Sequence, residues 1–441
     1  MNKKFYIKTW GCQMNEYDSE LIEKQLTTKK YKITKNPEKA DILILNTCSI
    51  REKAQEKVFH QLGRWKKIKK KKPNTIIAVG GCVATQEGKK IYKRANYINI
   101  VFGTQTLHKL SKMIEMAHYS NNLIIDISFN TFKKFKIKKE TKIIKKKISS
   151  FVSIMEGCNK YCSFCIVPFT RGKEISRPVN HILKEIKQLS ENGVREINLL
   201  GQNVNSYLGI GRYNKMCKFS ELLQMVAEIN GIDRIRFTTS NPFQFTDDII
   251  NVYKTTKKIV NFLHLPIQSG SNRILKKMKR LHTIQEYKEI VNKLINIRKN
   301  IQISSDFIVG FPGETEQDFL ETIKIIEEIK FDMSFSFIYS KRPGTPASKM
   351  KDLTSIQEKK ERLYFLQKKI NEQTLFWSKK MLNKKKTILV EKESENKIFN
   401  LKGKTENNRN VFFKGEKKLI GNFTKVKITS FSTHNLYGYT V

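Results

Sequence analysis

Three short apolar runs near the start of the chain each lead through a tight turn to a cysteine. The runs span residues 5–9, 41–45 and 75–79, and a helical pattern follows each turn. Strands and helices that alternate at this spacing predict a parallel sheet. Because the carboxyl ends of parallel strands share one edge, where ligands usually bind, Cys12, Cys48 and Cys82 should converge there.

A second series of strand–helix units begins near residue 151. Its candidate strands span 151–155, 196–200, 234–238, 262–266, 302–309 and 334–339, with helical patterns between them. Six units are too few for a closed TIM barrel, which needs eight. The pattern therefore predicts an open (β/α)6 barrel.

The pattern changes again after a helical stretch at 356–381. Short strands follow at 387–390, 411–413, 424–430 and 436–441, with turns but no helices between them. This favours a small antiparallel β-barrel of the oligonucleotide-binding (OB) type. The whole chain is thus predicted to be α/β, with an N-terminal domain at 1–120, a basic linker at 121–147, the open barrel at 148–378 and the small barrel at 379–441.

Another three cysteines, Cys158, Cys162 and Cys165, share a single loop in a C-x3-C-x2-C spacing. Three thiolates so placed can bind three irons of a cubane cluster and leave the fourth iron open. A zinc site is the alternative, but it needs a fourth ligand and no further Cys or His lies nearby. A disulfide fits three thiols in a cytosolic chain poorly. Cys217, the seventh cysteine, receives no role.

The net charge of +43 and the pI of about 9.9 indicate a polyanionic partner such as nucleic acid. A composition rich in Lys, Ile, Asn and Phe is also typical of AT-rich genomes, so charge alone leaves both explanations open. A hydrophobic fraction of 39% is enough for packed cores. With no apolar run of membrane length and no export signal region, the expected location is cytoplasmic, without a membrane partner.

The C-x3-C-x2-C loop, placed directly after the first strand of a βα barrel, resembles the radical S-adenosylmethionine superfamily. That resemblance implies that the open iron binds S-adenosylmethionine and that one electron splits it to a 5′-deoxyadenosyl radical. It also implies that cofactor contacts fall beside the loop and at the ends of the second and third strands, on Phe164, Gly201, Gln202, Thr238 and Ser240. Asn241 stands where the third-strand motif of the family has His, which leaves the contacts there open.

Taken singly, Cys12, Cys48 and Cys82 could each be a small buried residue. Taken together at one sheet edge, they predict a second cluster with an open iron. A radical enzyme with a second cluster is suited to sulfur insertion, in which the radical removes hydrogen from a C–H bond and the second cluster presents sulfur. The order of the domains resembles the methylthiotransferase family over essentially the whole chain, and the C-terminal part resembles a TRAM domain, an RNA-binding module.

Three stretches, at 46–54, 158–172 and 403–409, resemble family members that form 2-methylthio-N6-dimethylallyladenosine in tRNA. The resemblance implies two [4Fe-4S] clusters and S-adenosylmethionine as both methyl donor and radical source. The implied target is adenosine 37 of the anticodon loop, with Lys404 and Arg409 on phosphates. It also implies a reduced flavodoxin or ferredoxin-type electron donor and a separate sulfur source.

Two other interpretations stay open at this point. A sister enzyme of the same family could act on threonylcarbamoyladenosine tRNA or on an Asp of a ribosomal protein. A non-catalytic iron–sulfur protein that binds RNA is an alternative of another class. A passive structural cluster is expected to have four protein ligands, so the open-iron spacing and the complete barrel weigh against the second alternative.

Overall fold

The computed structural model describes residues 3–49, 54–120, 122–129, 147–396 and 398–441. Residues 50–53 of the 46–54 stretch and residues 130–146 of the predicted linker lie outside the described residues. The chain divides into an N-terminal unit, Met1–Ile143 with Met155–Asn159 and Cys165–Ile175, and a C-terminal unit that contains the remainder. Among the described residues, no helix combines the length and the apolar character that a bilayer span requires.

The N-terminal unit contains a six-stranded sheet, parallel throughout, in the order β2-β1-β3-β4-β5-β6. Its strands are β1 (Lys4–Thr9), β2 (Lys32–Ile33), β3 (Ile42–Thr47), β4 (Ile76–Gly81), β5 (Ile100–Phe102) and β6 (Ile124–Asp126). Its helices are α1 (Gln13–Thr28), α2 (Ala54–Lys71), α3 (Cys82–Glu87), α4 (Lys89–Arg94), α5 (Leu110–Tyr119) and α6 (Val167–Arg171). The predicted parallel sheet is confirmed. The sheet continues past residue 120, since β6 lies within the stretch predicted as linker.

The central strands of this sheet are buried along their whole length. Every residue of β3 and β4 is buried, as expected for parallel strands covered on both faces. The apolar core on one side includes Leu43, Leu45, Val79 and Trp65. These continuous apolar runs are the reason that the two strands could be recognised in the sequence.

The C-terminal unit begins with the strand–helix series. Its strands are β7 (Ser149–Ser153), β10 (Glu196–Leu200), β13 (Arg234–Phe237), β14 (Phe262–His264), β15 (Gln302–Ser304), β16 (Asp306–Val309) and β17 (Phe335–Ile338). Two further short strands of this unit are β11 (Leu208–Ile210) and β12 (Met216–Lys218), whereas β8 (Met155–Glu156) belongs to the N-terminal unit and β9 (Ile175–Ser176) lies where the chain passes from one unit to the other. The helices are α7 (Val179–Glu191), α8 (Phe219–Ala227), α9 (Asp247–Thr255), α10 (Asn272–Lys277), α11 (Ile284–Ile297), α12 (Glu316–Ile329) and α13 (Ile356–Lys379).

All six predicted strands of this series are present, and their pairing is parallel. The pairs are β7 with β10, β10 with β13, β14 with β15, and β16 with β17, and single parallel bridges join Ile235 to Ile259 and Gln268 to Phe307. The fifth predicted strand is divided at Ser305, whose hydroxyl donates to Leu265 O (3.1 Å) and accepts from Ile267 N (2.9 Å). The open six-unit architecture is confirmed.

The last part of the chain forms a closed barrel in the order β18-β19-β20-β22-β21. Its strands are β18 (Lys385–Glu393), β19 (Leu401–Lys404), β20 (Asn410–Lys414), β21 (Phe423–Phe431) and β22 (Asn435–Thr440). The prediction of an antiparallel barrel needs one correction, because β20 and β22 pair in parallel. The strand β19 was not predicted. It has two lysines around Gly403, where a Cβ would lie 2.4 Å from Leu389 O.

The barrel is joined to the strand–helix series through two buried arginines of β13. Arg234 donates to Lys404 O (3.0 Å) and Thr387 O (2.8 Å), and Arg236 donates to Glu406 O (2.7 Å) and Thr405 O (2.9 Å). The neighbouring carboxylate of Glu196 lies 3.0 Å from Arg236 Nε. Backbone carbonyls of the barrel therefore satisfy charges that burial would otherwise make costly.

Arg409 belongs to the same junction. Its guanidinium is fully buried and donates to Asp332 Oδ1 (2.5 Å) and Thr374 O (3.0 Å). The phosphate contact predicted for Arg409 is therefore not available in this structure, because no surface of the side chain is left for RNA. Lys404 is one-third exposed and lies 3.8 Å from Glu391, so its predicted phosphate contact stays a prediction.

Replacing Arg409 with Met should lower the free energy of unfolding of the C-terminal unit by about 3–5 kcal/mol, because the carboxyl group of Asp332 would be left buried without its partner. Lys417→Met is the matched control. Its ion pair with Glu393 is exposed, so its loss should cost less than about 1 kcal/mol. Urea unfolding followed by hydrogen exchange of the barrel amides measures the stability of both variants. Equal losses of stability would contradict the structural role of the buried Arg409–Asp332 pair.

Candidate functional site

The three N-terminal cysteines lie at neighbouring strand ends. Cys48 directly follows β3 and Cys82 follows β4 as the first residue of α3, while Cys12 precedes α1 after β1. The strands β1, β3 and β4 are adjacent in the sheet. A hydrogen bond from the side chain of Cys48 is the main reason that the pKa of Cys12 is lowered to about 6. The three cysteines thus lie at neighbouring strand ends of one sheet edge, and their joint binding of a cluster stays a prediction.

A network of amide side chains fixes the turns that carry these cysteines. Asn15 Nδ2 donates to Asn46 Oδ1 (3.1 Å) and to Thr47 O (3.0 Å), and Asn46 Nδ2 donates back to Asn15 O (2.9 Å). Thr47 Oγ1 donates to Gly80 O (2.6 Å). Gly81 has φ +91°, and a Cβ there would lie 2.3 Å from Thr47 O, so only glycine fits. The cysteine-bearing turns are therefore tied to one another.

A buried arginine provides positive charge beside the same thiols. Arg171 donates to Glu156 Oε1 (2.8 Å) and to Asp18 Oδ2 (3.0 Å), and all three side chains are almost fully buried. Burial raises the pKa of Cys82, and the charge and hydrogen bond of Arg171 act in the opposite direction. Arg171 therefore favours the thiolate forms that bind metal.

The position of Arg171 depends on the loop that follows β5. Thr104 Oγ1 donates to Thr170 O (3.0 Å) and Gln105 Nε2 donates to Arg171 O (2.9 Å), which holds the end of α6 in place. Arg171 lies in the stretch 158–172 that carries the family resemblance, but no role for it could be predicted from the sequence. Its partners Asp18 and Glu156 could not be identified from local patterns, because they lie 153 and 15 residues away.

The donor set fits an iron–sulfur cluster better than a single metal ion. All three thiols are free of disulfides, and Cys48 and Cys82 are buried. Among the described ranges, no three His, Cys, Asp or Glu side chains gather closely enough to surround one ion. A cubane cluster has a different requirement, because each thiolate binds a separate iron. Three cysteine thiols on neighbouring strand ends are the donor type that such a cluster uses.

The second triad follows β7 and the short strand β8, and its cysteines form no disulfide. Cys158 N donates to Gly172 O (3.2 Å), and Gly157, with φ +80°, passes so close to Lys173 O that a Cβ would lie 2.0 Å from it. Further along, Ser163 N donates to Met278 O (3.0 Å). The C-x3-C-x2-C spacing of these cysteines, without a fourth ligand in it, fits a cluster with an open iron.

Arg280 is a residue of this site that the sequence analysis missed. It is buried, donates to Pro266 O (2.7 Å), and its Nη1 lies 3.7 Å from Cys162 Sγ. A guanidinium at this distance can donate to the Cys162 sulfur, the kind of outer contact that orients a metal ligand. The separation of 118 residues leaves no local signal by which Arg280 could have been found.

The predicted cofactor residues share one edge of the strand–helix series. Gly201 and Gln202 follow β10, and Thr238 and Ser240 follow β13, its neighbour in the sheet. Asn241, the departure from the family motif, ties the two loops together. Its backbone N–H donates to Asn205 Oδ1 (2.8 Å), and Asn205 Nδ2 donates to Asn241 O (2.8 Å). The loops are thus held at the place where cofactor contacts were predicted.

Phe164 and His264 complete the description of this edge. Phe164 packs against the apolar cluster that contains Met278 and Phe311, so its contact with adenine stays a prediction. His264, at the end of β14, was not predicted. Its ring lies 3.0 Å from Ser304 Oγ and 3.4 Å from Asp306 Oδ2. Ordinary strand residues such as these give no sequence signal for a polar cluster.

Comparison with known proteins identifies the class. Residues 4–103 match the uncharacterized protein family UPF0004, residues 152–326 match the Radical SAM superfamily and residues 379–441 match the TRAM domain. The radical S-adenosylmethionine methyltransferase TsrM from Kitasatospora setae shares the fold, with a TM-score of 0.55 at 12% identity, covering 79% of this chain and 77% of that one. The chain is a radical S-adenosylmethionine enzyme.

Relatives in full-length alignment identify the family. The tRNA-2-methylthio-N(6)-dimethylallyladenosine synthase of Buchnera aphidicola subsp. Schizaphis graminum is 66% identical, with 99% of each chain covered. The protein of that name from Haemophilus influenzae (strain PittGG) is 56% identical, covering 100% of this chain and 93% of its own length. The chain belongs to the family of tRNA-2-methylthio-N(6)-dimethylallyladenosine synthases.

Replacing Arg171 with Met should destabilise the N-terminal sheet by about 3–5 kcal/mol, because Asp18 and Glu156 would be left buried without their cation. Arg94→Met is the matched control, since its ion pair with Glu56 is exposed. Hydrogen exchange of the β1, β3 and β4 amides in metal-free protein measures the difference. Wild-type protection in Arg171→Met would show that the buried pairs contribute nothing.

Proposed function

We propose that this chain adds a methylthio group to C2 of N6-dimethylallyladenosine at position 37 of tRNA. The observation that carries the proposal is the presence, in one chain, of two triads of cysteines outside disulfides, on turns that follow the carboxyl ends of parallel strands. The names of the full-length relatives support the substrate. One triad suits the generation of a radical, and the other suits the delivery of sulfur.

Cys158, Cys162 and Cys165 would hold a [4Fe-4S] cluster with an open iron. When bound, this cluster supplies the electron that splits S-adenosylmethionine into methionine and a 5′-deoxyadenosyl radical. Other residues of the chain hold this loop in place and put a positive charge beside it. Ser163 anchors the loop through Met278 O, and Arg280 donates to Cys162. Gly201, Gln202, Thr238 and Ser240 would bind S-adenosylmethionine on the shared edge, and Phe164 would pack beside its adenine.

Cys12, Cys48 and Cys82 would hold a second [4Fe-4S] cluster, which supplies sulfur when bound. The protein contributes geometry and charge to this site. The Asn15–Asn46 pair fixes the two turns relative to each other, and Arg171 places a buried positive charge beside Cys12 and Cys82. A thiolate set of this kind is stabilised by a nearby cation, which lowers the cost of burying its negative charge.

The proposal extends to partners outside the chain. Reductive cleavage of S-adenosylmethionine consumes an electron, so a reduced flavodoxin or ferredoxin-type donor is part of the scheme, and repeated turnover requires a source of sulfur. The substrate is a tRNA anticodon loop, whose unpaired bases a protein can splay and stack. A cytoplasmic location follows from that substrate. The net charge of +43 supports binding to RNA phosphates.

Anaerobically reconstituted protein should contain about eight irons per chain, and Cys158→Ala should retain about four. Cys217→Ala is the matched control, since Cys217 lies buried in the β11–β12 hairpin and should leave about eight irons in place. Iron analysis together with electron paramagnetic resonance measures the result. About four irons in the wild-type protein would refute the two-cluster proposal.

Cys48→Ala should still form 5′-deoxyadenosine but attach no sulfur to tRNA, because it removes a ligand of the second cluster alone. Cys158→Ala should form no 5′-deoxyadenosine. The two variants thus separate the functions of the triads. Chromatography of the nucleoside products measures both, and sulfur insertion by Cys48→Ala at the wild-type rate would contradict the donor role of its triad.

The substrate itself can be tested by mass spectrometry of tRNA nucleosides from a strain that lacks the gene. The 2-methylthio group should disappear while the dimethylallyl group is retained, and expression of this chain should restore it. A normal level of the 2-methylthio mark, or loss of the methylthio group from threonylcarbamoyladenosine instead, would refute the proposed substrate.

A further inference from the structure

Aromatic rings lie side by side on the outer surface of the C-terminal barrel. Phe412 of β20 and Tyr437 of β22 are register partners, with ring centroids 5.9 Å apart and planes inclined by 24°. The ring of Phe399, before β19, lies 5.4 Å from that of Tyr437 at 32°. These three nearly parallel rings, which we call the ring platform, are partly exposed.

The ring platform is not needed to fill the barrel core. Strand residues alternate between two faces, and the inward positions of β20 and β22 are occupied by the fully buried side chains of Val411, Phe413 and Leu436. The rings of Phe412 and Tyr437 point to the opposite face. Outward aromatic residues on a closed small barrel therefore require a different explanation from core packing.

The charge around the ring platform is positive. The strands β19, β20 and β21 contain lysines, and none of these three strands or β22 contains Asp or Glu. Lys402 is the register partner of Phe412, and its ammonium lies 5.4 Å from the centre of that ring. Lys414 and Lys427 are both register partners of Tyr439, which is 44% exposed. The lysines suit a negatively charged partner, and the rings suit a partner with planar groups. A polyanion that carries planar groups would match both.

We propose that the ring platform stacks unpaired bases of the RNA substrate, while Lys402, Lys414 and Lys427 contact the adjoining phosphates. The inference rests on the proposed function, because that function makes RNA the partner. Unpaired bases expose a face that an aromatic ring can cover, whereas paired bases inside an A-form helix do not. The ring platform therefore selects single-stranded segments next to the lysines, and it takes the place in RNA binding that Arg409, buried in the junction, cannot fill.

The test uses the full-length protein and a fluorescent single-stranded RNA of about twelve nucleotides. The double variant Phe412→Leu with Tyr437→Leu keeps apolar side chains but removes the rings. It should bind about tenfold more weakly, with an unchanged dependence of affinity on salt, because stacking is lost and phosphate contacts are not. Its affinity for a duplex RNA of the same composition should match that of the wild type.

Two further variants make the test specific. Lys414→Gln with Lys427→Gln should weaken binding to both RNAs and reduce the slope of log affinity against log salt by about one to two. Tyr364→Leu, which removes a ring that is 73% exposed on α13, is the matched control and should bind like the wild type. Wild-type affinity of the double leucine variant for the single strand would overturn the ring platform alone. Failure of the wild-type protein to bind any RNA would overturn the proposed function and this inference with it.

Discussion

The common direction of β1, β3 and β4 is the constraint on which the sulfur chemistry of this chain depends. Parallel strands bring their carboxyl ends to one edge, so that Cys12, Cys48 and Cys82 meet although they are far apart in sequence. Reversing one of these six-residue strands would move its thiol by about 20 Å, to the opposite edge of the sheet. The same edge receives α6, through Thr104 and Gln105, and with it the charge of Arg171.

Buried arginines connect the segments of this protein. Arg171 joins α1 to the segment that follows β7, while Arg234, Arg236 and Arg409 join the small barrel to the strand–helix series. Each guanidinium is paired with carboxylates or with backbone carbonyls. The planar guanidinium suits this task better than an ammonium, because its fork of donors can reach several fixed acceptors at once. Lysines, by contrast, are left largely at the surface, where they produce the high net charge.

Much of the fold could be predicted because its signals are local. Continuous apolar runs indicated β3 and β4, the repeated strand–helix pattern indicated the open series, and cysteine spacing indicated both candidate sites. What was missed depends on distant partners. The burial of Arg409 requires Asp332, 77 residues away, and the contact of Arg280 with Cys162 spans 118 residues. The strand β19 was missed because glycine and lysine mask its pattern, although Gly403 is required there by the close approach of Leu389 O.

The junction between the small barrel and β13 limits how the C-terminal domain can be deleted or exchanged. A TRAM domain suggests a separable module that could be deleted or exchanged between relatives. Here the domain provides the carbonyl oxygens of Thr387, Lys404, Thr405 and Glu406 to two arginines that belong to the catalytic part of the chain. Deleting the C-terminal barrel would leave the guanidinium groups of Arg234 and Arg236 without these acceptors. A chimera would therefore have to inherit β13 and the 404–409 turn from the same parent.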